Sequence, residues 1–95
     1  MEQRRDSGDL KDLVLYRTES TKEDLKSNEI LHMQVRLFRL ACKTWGITRL
    51  ECAKIFDDYD IDNYINEAYE FFHVQGDEVN LEDIKNYLVR KGASL

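Results

Sequence analysis

The residues with the clearest chemical potential lie in one stretch, "FDDYDIDNYINEAYEFFHVQGDE", which spans residues 56–78. Its first part holds four aspartates within six positions, namely Asp57, Asp58, Asp60 and Asp62. Clustered carboxylates suit calcium binding. The stretch closes on His73 and Gln75, side chains that could serve acid–base chemistry or bind the backbone at a helix end. A calcium loop, a catalytic site and a joint between two helices are therefore the three interpretations to compare.

The calcium interpretation depends on EF-hand spacing. Asp58, Asp60 and Asp62 match positions one, three and five of such a loop. Position twelve, which should supply a bidentate carboxylate, is Tyr69, and Glu70 comes one place too late. Position six, normally Gly, is Asn63. We therefore interpret the cluster as a helix-to-helix turn with acids at the start of the following helix, where the dipole favours them.

The catalytic interpretation depends on His73, Asp77 and Glu78, which lie close together in the sequence. No nucleophile accompanies them, and the chain has neither a Gly-rich phosphate loop nor a GxSxG elbow. A helical domain of this size has little room for a substrate cleft beside its core. We therefore expect a non-catalytic protein that needs no cofactor.

The composition predicts one soluble globular domain. The chain has 95 residues, of which 42% are apolar and 35% charged. No apolar run approaches the ~20 residues of a membrane helix. The start, "MEQRRDSGDLKD", is charged and lacks the apolar core of a secretory signal, so we expect a cytoplasmic protein.

The cysteines Cys42 and Cys52 lie among apolar residues in predicted helices. Without a signal peptide, we expect both to be free, buried thiols. His32 and His73 could complete a set of four zinc ligands, but no CxxC or HxxxH pairing brings them together, so zinc is disfavoured.

Helical periodicity dominates the chain, which contains no proline. It predicts a small all-α bundle of about four helices. The first predicted helix begins at Ser20 or Thr21 and ends at residue 45; it is fully periodic over 28–45, and residues 21–27 are left open. The other predicted helices cover 48–58, a segment from 60 or 62 to about 73, and 80–92. Residues 20–95 form the predicted bundle domain, and residues 1–19 form an N-terminal segment, partly mobile, whose "DLVLYRTES" could be a strand or a short helix.

Local end signals set these boundaries. Ser20 with Glu23 and Thr48 with Glu51 are capping-box patterns, and Asn80 is a predicted N-cap. Three glycines follow the first, third and last helices and can take the left-handed conformation: Gly46, Gly76 and Gly92. On the second helix we expect an apolar face made of Leu50, Ala53, Ile55 and Phe56.

The charge is uneven along the chain, whose formal net charge is −5. Residues 47–80 hold nine acids and two bases. An acidic surface repels phosphate backbones and steers basic proteins toward itself. The basic residues Arg36, Arg39 and Lys43 of the first helix offer the alternative, a DNA-binding or transcription-linked protein.

These observations favour a protein-interaction module with a basic protein as its partner. The predicted contact residues are Asp57, Asp58, Tyr59, Asp60, Asp62, Glu70, His73 and Gln75. Tyr59 and Phe71 fall off the apolar stripe of the third helix, so they either belong to an interface or pack under the N-terminal segment. The sequence leaves homo-oligomerisation open.

From Leu31 to Gly92 the chain resembles a family of short bacterial proteins of unknown function. That family has a Tyr-Ile pair followed by a Tyr-x-x-Leu-His-x-Gln-Gly-Asp/Glu block. The matching residues are Phe56, Tyr64, Ile65, Tyr69, His73, Gln75, Gly76, Asp77, Glu78, Asp83, Ile84 and Tyr87. Phe72 replaces the usual Leu, and the first 28 residues have no counterpart.

The resemblance implies a small all-α fold without known enzymatic activity. Related genes often lie beside ADP-ribosyltransferase-like, toxin-type genes, which implies an accessory or antitoxin-like partner protein. Residue chemistry gives the block a structural role: Gly76 lets the chain leave the third helix, and His73 and Gln75 hydrogen-bond unpaired groups at its end. A small polar recognition site around His73, Gln75 and Glu78 is the alternative.

Overall fold

Four α-helices account for nearly all of the described chain. The computed structural model describes the backbone of residues 6–95 and the side chains of residues 24–95. In chain order the helices are α1 (Asp6–Trp45), α2 (Arg49–Asp58), α3 (Ile61–Phe72) and α4 (Asp77–Arg90). No strand occurs in residues 6–95. The predicted all-α bundle of about four helices is thus confirmed.

Helix α1 starts earlier than the sequence predicted. It runs without interruption from Asp6, so the predicted start at Ser20 or Thr21 is wrong. No proline interrupts residues 6–45, and a capping pattern at Ser20 also fits inside a continuous helix. Residues 1–5 and the side chains of residues 6–23 lie outside the described part, so the partial mobility of segment 1–19 stays a prediction.

The junction between α1 and α2 follows the predicted signals. Gly46 ends α1 with a φ of +65°, in the left-handed region. Thr48 then caps α2 through a reciprocal capping box: Glu51 N–H donates to Thr48 Oγ1 at 3.0 Å, and Thr48 N–H donates to Glu51 Oε1 at 2.8 Å. Both groups would otherwise be unpaired at the helix start.

The start of α4 corrects two predictions. Gly76 is extended, with a φ of −75°, and it is the N-cap of α4 rather than a left-handed end of α3. Asn80 lies inside α4 instead of capping it, and its side chain is fully buried. Its Nδ2 donates at 2.9 Å to the Phe72 carbonyl, which also accepts the Gln75 backbone N–H at 3.1 Å, so the Asn80 side chain ties α4 to the end of α3.

The core lies where α2, α3 and α4 cover one face of α1. Met33, Leu37 and Ala41 form the buried stripe of α1, at helical spacing. The other helices contribute Cys52, Phe56, Ile61, Ile65, Tyr69, Phe72, Leu81, Ile84 and Leu88. Tyr64 of α3 stacks on Tyr87 of α4, with 4.2 Å between the ring centroids. All four helices therefore share a single core.

The buried face of α2 differs from the one predicted. Leu50 remains 81% exposed, and Ala53 is exposed as well. Cys52 and Phe56, four residues apart, are the residues that α2 buries. The prediction placed Leu50 and Ala53 inside because apolar residues lie all around this short helix, and periodicity alone could not choose among the faces.

The contrast between Leu37 and Leu50 gives a test of the core. Leu37 is fully buried, so we expect Leu37→Ala to lower the free energy of unfolding by about 2–5 kcal/mol, through lost burial and a residual cavity. Leu50→Ala is the matched control and should change it by less than about 0.5 kcal/mol. Denaturant unfolding of both variants measures the difference, and equal losses would contradict the described core.

Candidate functional site

The four predicted aspartates surround the tight turn between α2 and α3. Asp57 and Asp58 end α2, Asp60 lies in the turn, and Asp62 lies in the first turn of α3. All four are exposed. We refer to residues 57–62 as the acidic turn. Asp60 has a φ of +53°, a left-handed conformation that Asp tolerates better than most residues and that reverses the chain within two residues.

The acidic turn concentrates negative charge with little compensation. Asp58 pairs with Lys54 at 3.2 Å, within α2. For Asp57, Asp60 and Asp62 no ion pair occurs among residues 24–95. Partial desolvation at the surface, and then the nearby Asp60, raises the pKa of Asp62. Asp57 and Asp58 also sit at the C-terminus of α2, where the helix dipole disfavours negative charge.

The acidic turn is not an EF-hand loop. Helix α3 begins at Ile61, so residues that a calcium loop would use are already helical. Across the side chains of residues 24–95, no three His, Cys, Asp or Glu groups are arranged to hold a metal ion. The place of the cluster, between the end of α2 and the start of α3, confirms its interpretation as a helix-to-helix turn.

Tyr59 and Phe71, the two aromatic residues outside the apolar stripe of α3, have different environments. Tyr59 is half-buried and packs against the core beside the acidic turn, so it helps to fix the turn. Phe71 is 73% exposed near the end of α3. Of the two aromatic side chains, Phe71 is thus the one available to another molecule.

The remaining predicted contact residues lie at the other end of α3. Asp62 and Glu70 are eight residues apart, which corresponds to about 12 Å along the helix. Glu70 accepts a hydrogen bond from Lys26 Nζ at 2.6 Å, and His73 Nε2 lies 3.7 Å from it. The bond from Lys26 lowers the pKa of Glu70. The structure thus separates Glu70, His73 and Gln75 from the acidic turn and neutralises Glu70 locally.

His73 and Gln75 belong to a polar groove between α1 and the end of α3. The groove measures about 320 Å³ and is lined by Glu29, His32, Met33, Arg36, Tyr69, Phe72, His73 and Gln75. Tyr69 Oη donates a hydrogen bond to Glu29, which raises the pKa of Tyr69. The His73 ring stacks on Tyr69, with 5.1 Å between centroids. Glu29, His32 and Arg36 were not predicted here; their spacing of three and four residues is the signal that could have grouped them.

The predicted structural role of this block is only partly right. Gln75 Nε2 donates to the Phe71 carbonyl at 3.5 Å, at the end of α3 as expected. His73 contacts Tyr69 and Glu70 side chains instead of loop backbone. Asp77 forms a two-bond ion pair with Arg36, at 3.0 and 3.5 Å, and so ties α4 to α1. His73 and Asp77, which the catalytic interpretation grouped, therefore have separate partners.

The two cysteines are free thiols, as predicted. Cys52 is fully buried and its Sγ lies 3.8 Å from the Phe38 carbonyl, whereas Cys42 is half-buried. Burial, followed by the neighbouring Cys42, raises the pKa of Cys52 to about 12. A thiol with so high a pKa is a poor nucleophile, so Cys52 serves packing.

The Glu70–Lys26 pair predicts a pH dependence of stability. Lys26 holds the pKa of Glu70 below the ordinary 4.5, so its stabilisation is present above that pH and is lost as the pH falls through the lowered pKa. Glu70→Gln should therefore lose less thermal stability than the wild type on acidification below 4.5. The effect is small because both side chains are exposed. Glu67→Gln, exposed and on the same helix, is the control. Superimposable pH profiles for wild type and Glu70→Gln would contradict the pairing.

Comparisons with known proteins identify a family. The helices of residues 6–95 include none that is long and apolar enough to cross a membrane. Neither the curated proteins nor the solved structures include a match. Residues 32–91, which contain the last 14 residues of α1 and all of α2–α4, match the model of a family described as a protein of unknown function, DUF3791. The chain therefore belongs to the DUF3791 family.

Proposed function

We propose that this chain is a non-catalytic protein-interaction module that binds a basic protein through the acidic turn. The main support for this role is the negative charge of that turn. Four exposed carboxylates lie within six residues, and Lys54 is the only cation paired with any of them among residues 24–95. Lys or Arg side chains of a partner would supply the missing counter-charges.

The backbone of the turn favours binding as well. It is short, and it is fixed on both sides by buried residues, Phe56 of α2 and Ile61 of α3. Tyr59 packs against the core within it. A preformed turn loses little conformational entropy when a partner docks, so more of the interaction energy appears as affinity.

The net charge of the whole chain adds a long-range electrostatic contribution to partner binding. At −5, the molecule attracts cationic partners and accelerates their encounter, most strongly at low salt. The resemblance to proteins encoded beside toxin-type genes suggests a basic, toxin-type enzyme as the partner and an antitoxin-like or accessory role for this chain. Glu70, His73 and Gln75 would be secondary contacts, because they lie at the far end of α3.

The alternative function is DNA binding through the basic residues of α1. Arg39 and Lys43 are exposed, and neither has an ion pair among residues 24–95. Arg36 is less suitable because Asp77 already pairs with it. Arg39 and Lys43 alone provide few phosphate contacts, so this alternative is the weaker one.

The first experiment captures the partner. The tagged full-length chain is incubated with a lysate of its source organism at moderate salt, and specifically bound proteins are identified by mass spectrometry. We expect one stoichiometric basic protein. A gel-retardation assay at low salt is run in parallel, and a DNA shift that Arg39→Glu with Lys43→Glu abolishes would favour the alternative.

The second experiment tests the acidic turn directly. Asp57→Asn, Asp58→Asn and Asp60→Asn are combined, since Asn keeps the shape of Asp and tolerates the left-handed backbone at position 60. We expect about tenfold weaker partner binding and a flatter dependence of affinity on salt.

The matched control removes three exposed acids elsewhere, through Glu67→Gln, Glu78→Gln and Glu82→Gln. It changes the net charge equally but should leave affinity within about twofold, because distant exposed charges are screened. Unchanged affinity and salt dependence in the Asn variant would contradict the proposed role of the turn.

A further inference from the structure

Three of the five charged residues of α2 lie at the ends where its own dipole disfavours them, whereas Glu51 lies in the favourable first turn. Arg49 is its first residue, at the positive end of the dipole, and Asp57 and Asp58 are its last, at the negative end. The two ends are about 13 Å apart. Neither Arg49 nor Asp57 has an ion pair among residues 24–95. Local stability does not explain this arrangement.

The surface around α2 shows the same separation of positive from negative charge. Phe38 of α1 packs edge-to-face on Phe56, with 5.2 Å between centroids, and it lines three adjoining depressions. One contains Asp57, Asp60 and Asp62. Another contains Arg39, Lys43 and Arg49. The surface near Phe38 thus has an acidic depression at the end of α2 and a basic one at its start.

The third depression is the apolar part of this surface. It measures about 240 Å³, and Leu31 and Val35 of α1 line it together with Phe38. Leu31 is 54% exposed and Val35 is 41% exposed. Arg39 and Arg49 border it, as does Asp62. We call these three adjoining depressions the dipolar face.

We infer that the dipolar face is where a second copy of this chain binds, as a symmetric dimer. A two-fold axis through the apolar part sets the basic depression of each copy against the acidic depression of the other. Arg39 and Arg49 then meet the acidic turn of the second copy, while Leu31, Val35 and Phe38 bury one another. The α2 dipoles are opposed, so the terminal charges of each α2 face the favourable end of its counterpart.

A second copy is the occupant whose surface has the required chemistry. A purely basic partner complements the acidic depression but repels Arg39, Lys43 and Arg49. A second copy complements both depressions at once and also covers the apolar part. The inference goes beyond the proposed function, and the two associations share the acidic turn, so they exclude one another. Excess basic partner should therefore dissociate the dimer.

The test uses charge reversal on the full-length chain, followed by analytical ultracentrifugation over a range of concentrations at low salt. We expect the wild type to show a monomer–dimer equilibrium that weakens as salt is added. The first variant combines Arg39→Glu and Arg49→Glu, and the second combines Asp57→Lys and Asp58→Lys. Each variant alone should dimerise at least tenfold more weakly, because like charges then face each other.

Mixing the two variants is the decisive step. In a mixed dimer every charge contact is restored, so an equimolar mixture should regain the dimer mass. This rescue also excludes unfolding as the cause of the loss in the separate variants. The control is Glu67→Lys with Glu82→Lys, which makes the same change in net charge on exposed residues that line none of the three depressions. It should dimerise like the wild type and should not rescue the first variant.

Three results would overturn the inference. The wild type could remain monomeric at every concentration tested, the reversed variants could still dimerise like the wild type, or the mixture could fail to regain the dimer mass. A monomeric wild type would leave the proposed partner binding unaffected, since partner capture and the Asp→Asn variant test that function separately.

Discussion

The burial of one stripe of α1 is the interaction on which the rest of the structure depends. Helices α2, α3 and α4 have 10, 12 and 14 residues, and helices this short are marginal in water on their own. Each is stabilised by packing against Met33, Leu37 and Ala41 or against a helix that does so. The packing of this core therefore determines where the surface side chains of these helices lie.

This dependence explains how the chain accommodates unfavourable charges. The acidic turn holds Asp57, Asp58 and Asp60 close together, with Asp60 in a left-handed conformation and Asp57 at the unfavourable end of a helix dipole. Each of these features opposes folding slightly. The buried residues on either side of the turn, Phe56 and Ile61, supply the compensating stability. Charges held at such a cost in an exposed turn are available to another molecule.

The sequence predicted those parts of the fold that local signals determine. The all-α class, the left-handed Gly46 and the capping box of Thr48 and Glu51 depend on residues close together in the chain, and all were confirmed. The predictions for the start of α1 and for the role of Asn80 were wrong, because each local sequence pattern is compatible with a second structure. A capping pattern also fits inside a long helix, and an Asn suited to a cap can instead bind a carbonyl of the preceding helix.

The surfaces were harder to predict than the helices. The four aspartates were found because they are neighbours in the chain, and the turn interpretation followed from a missing ligand at Tyr69. The polar groove joins Glu29, His32 and Arg36 to residues about forty positions later. The dipolar face similarly joins α1 to both ends of α2. Only the packing of α2 and α3 on α1 brings these groups together.

Arg49 and Asp57, at the two ends of α2, are proposed to serve association and not the stability of the single chain. The most direct test is the free energy of unfolding of a variant with Arg49→Gln and Asp57→Asn, at low ionic strength and at a concentration where the chain is monomeric. The Lys54–Asp58 pair stays intact in this variant. We predict an increase of about 0.3–1 kcal/mol per site, because each change removes a charge that the helix dipole disfavours. A decrease would show that these charges stabilise the single chain and would contradict the account.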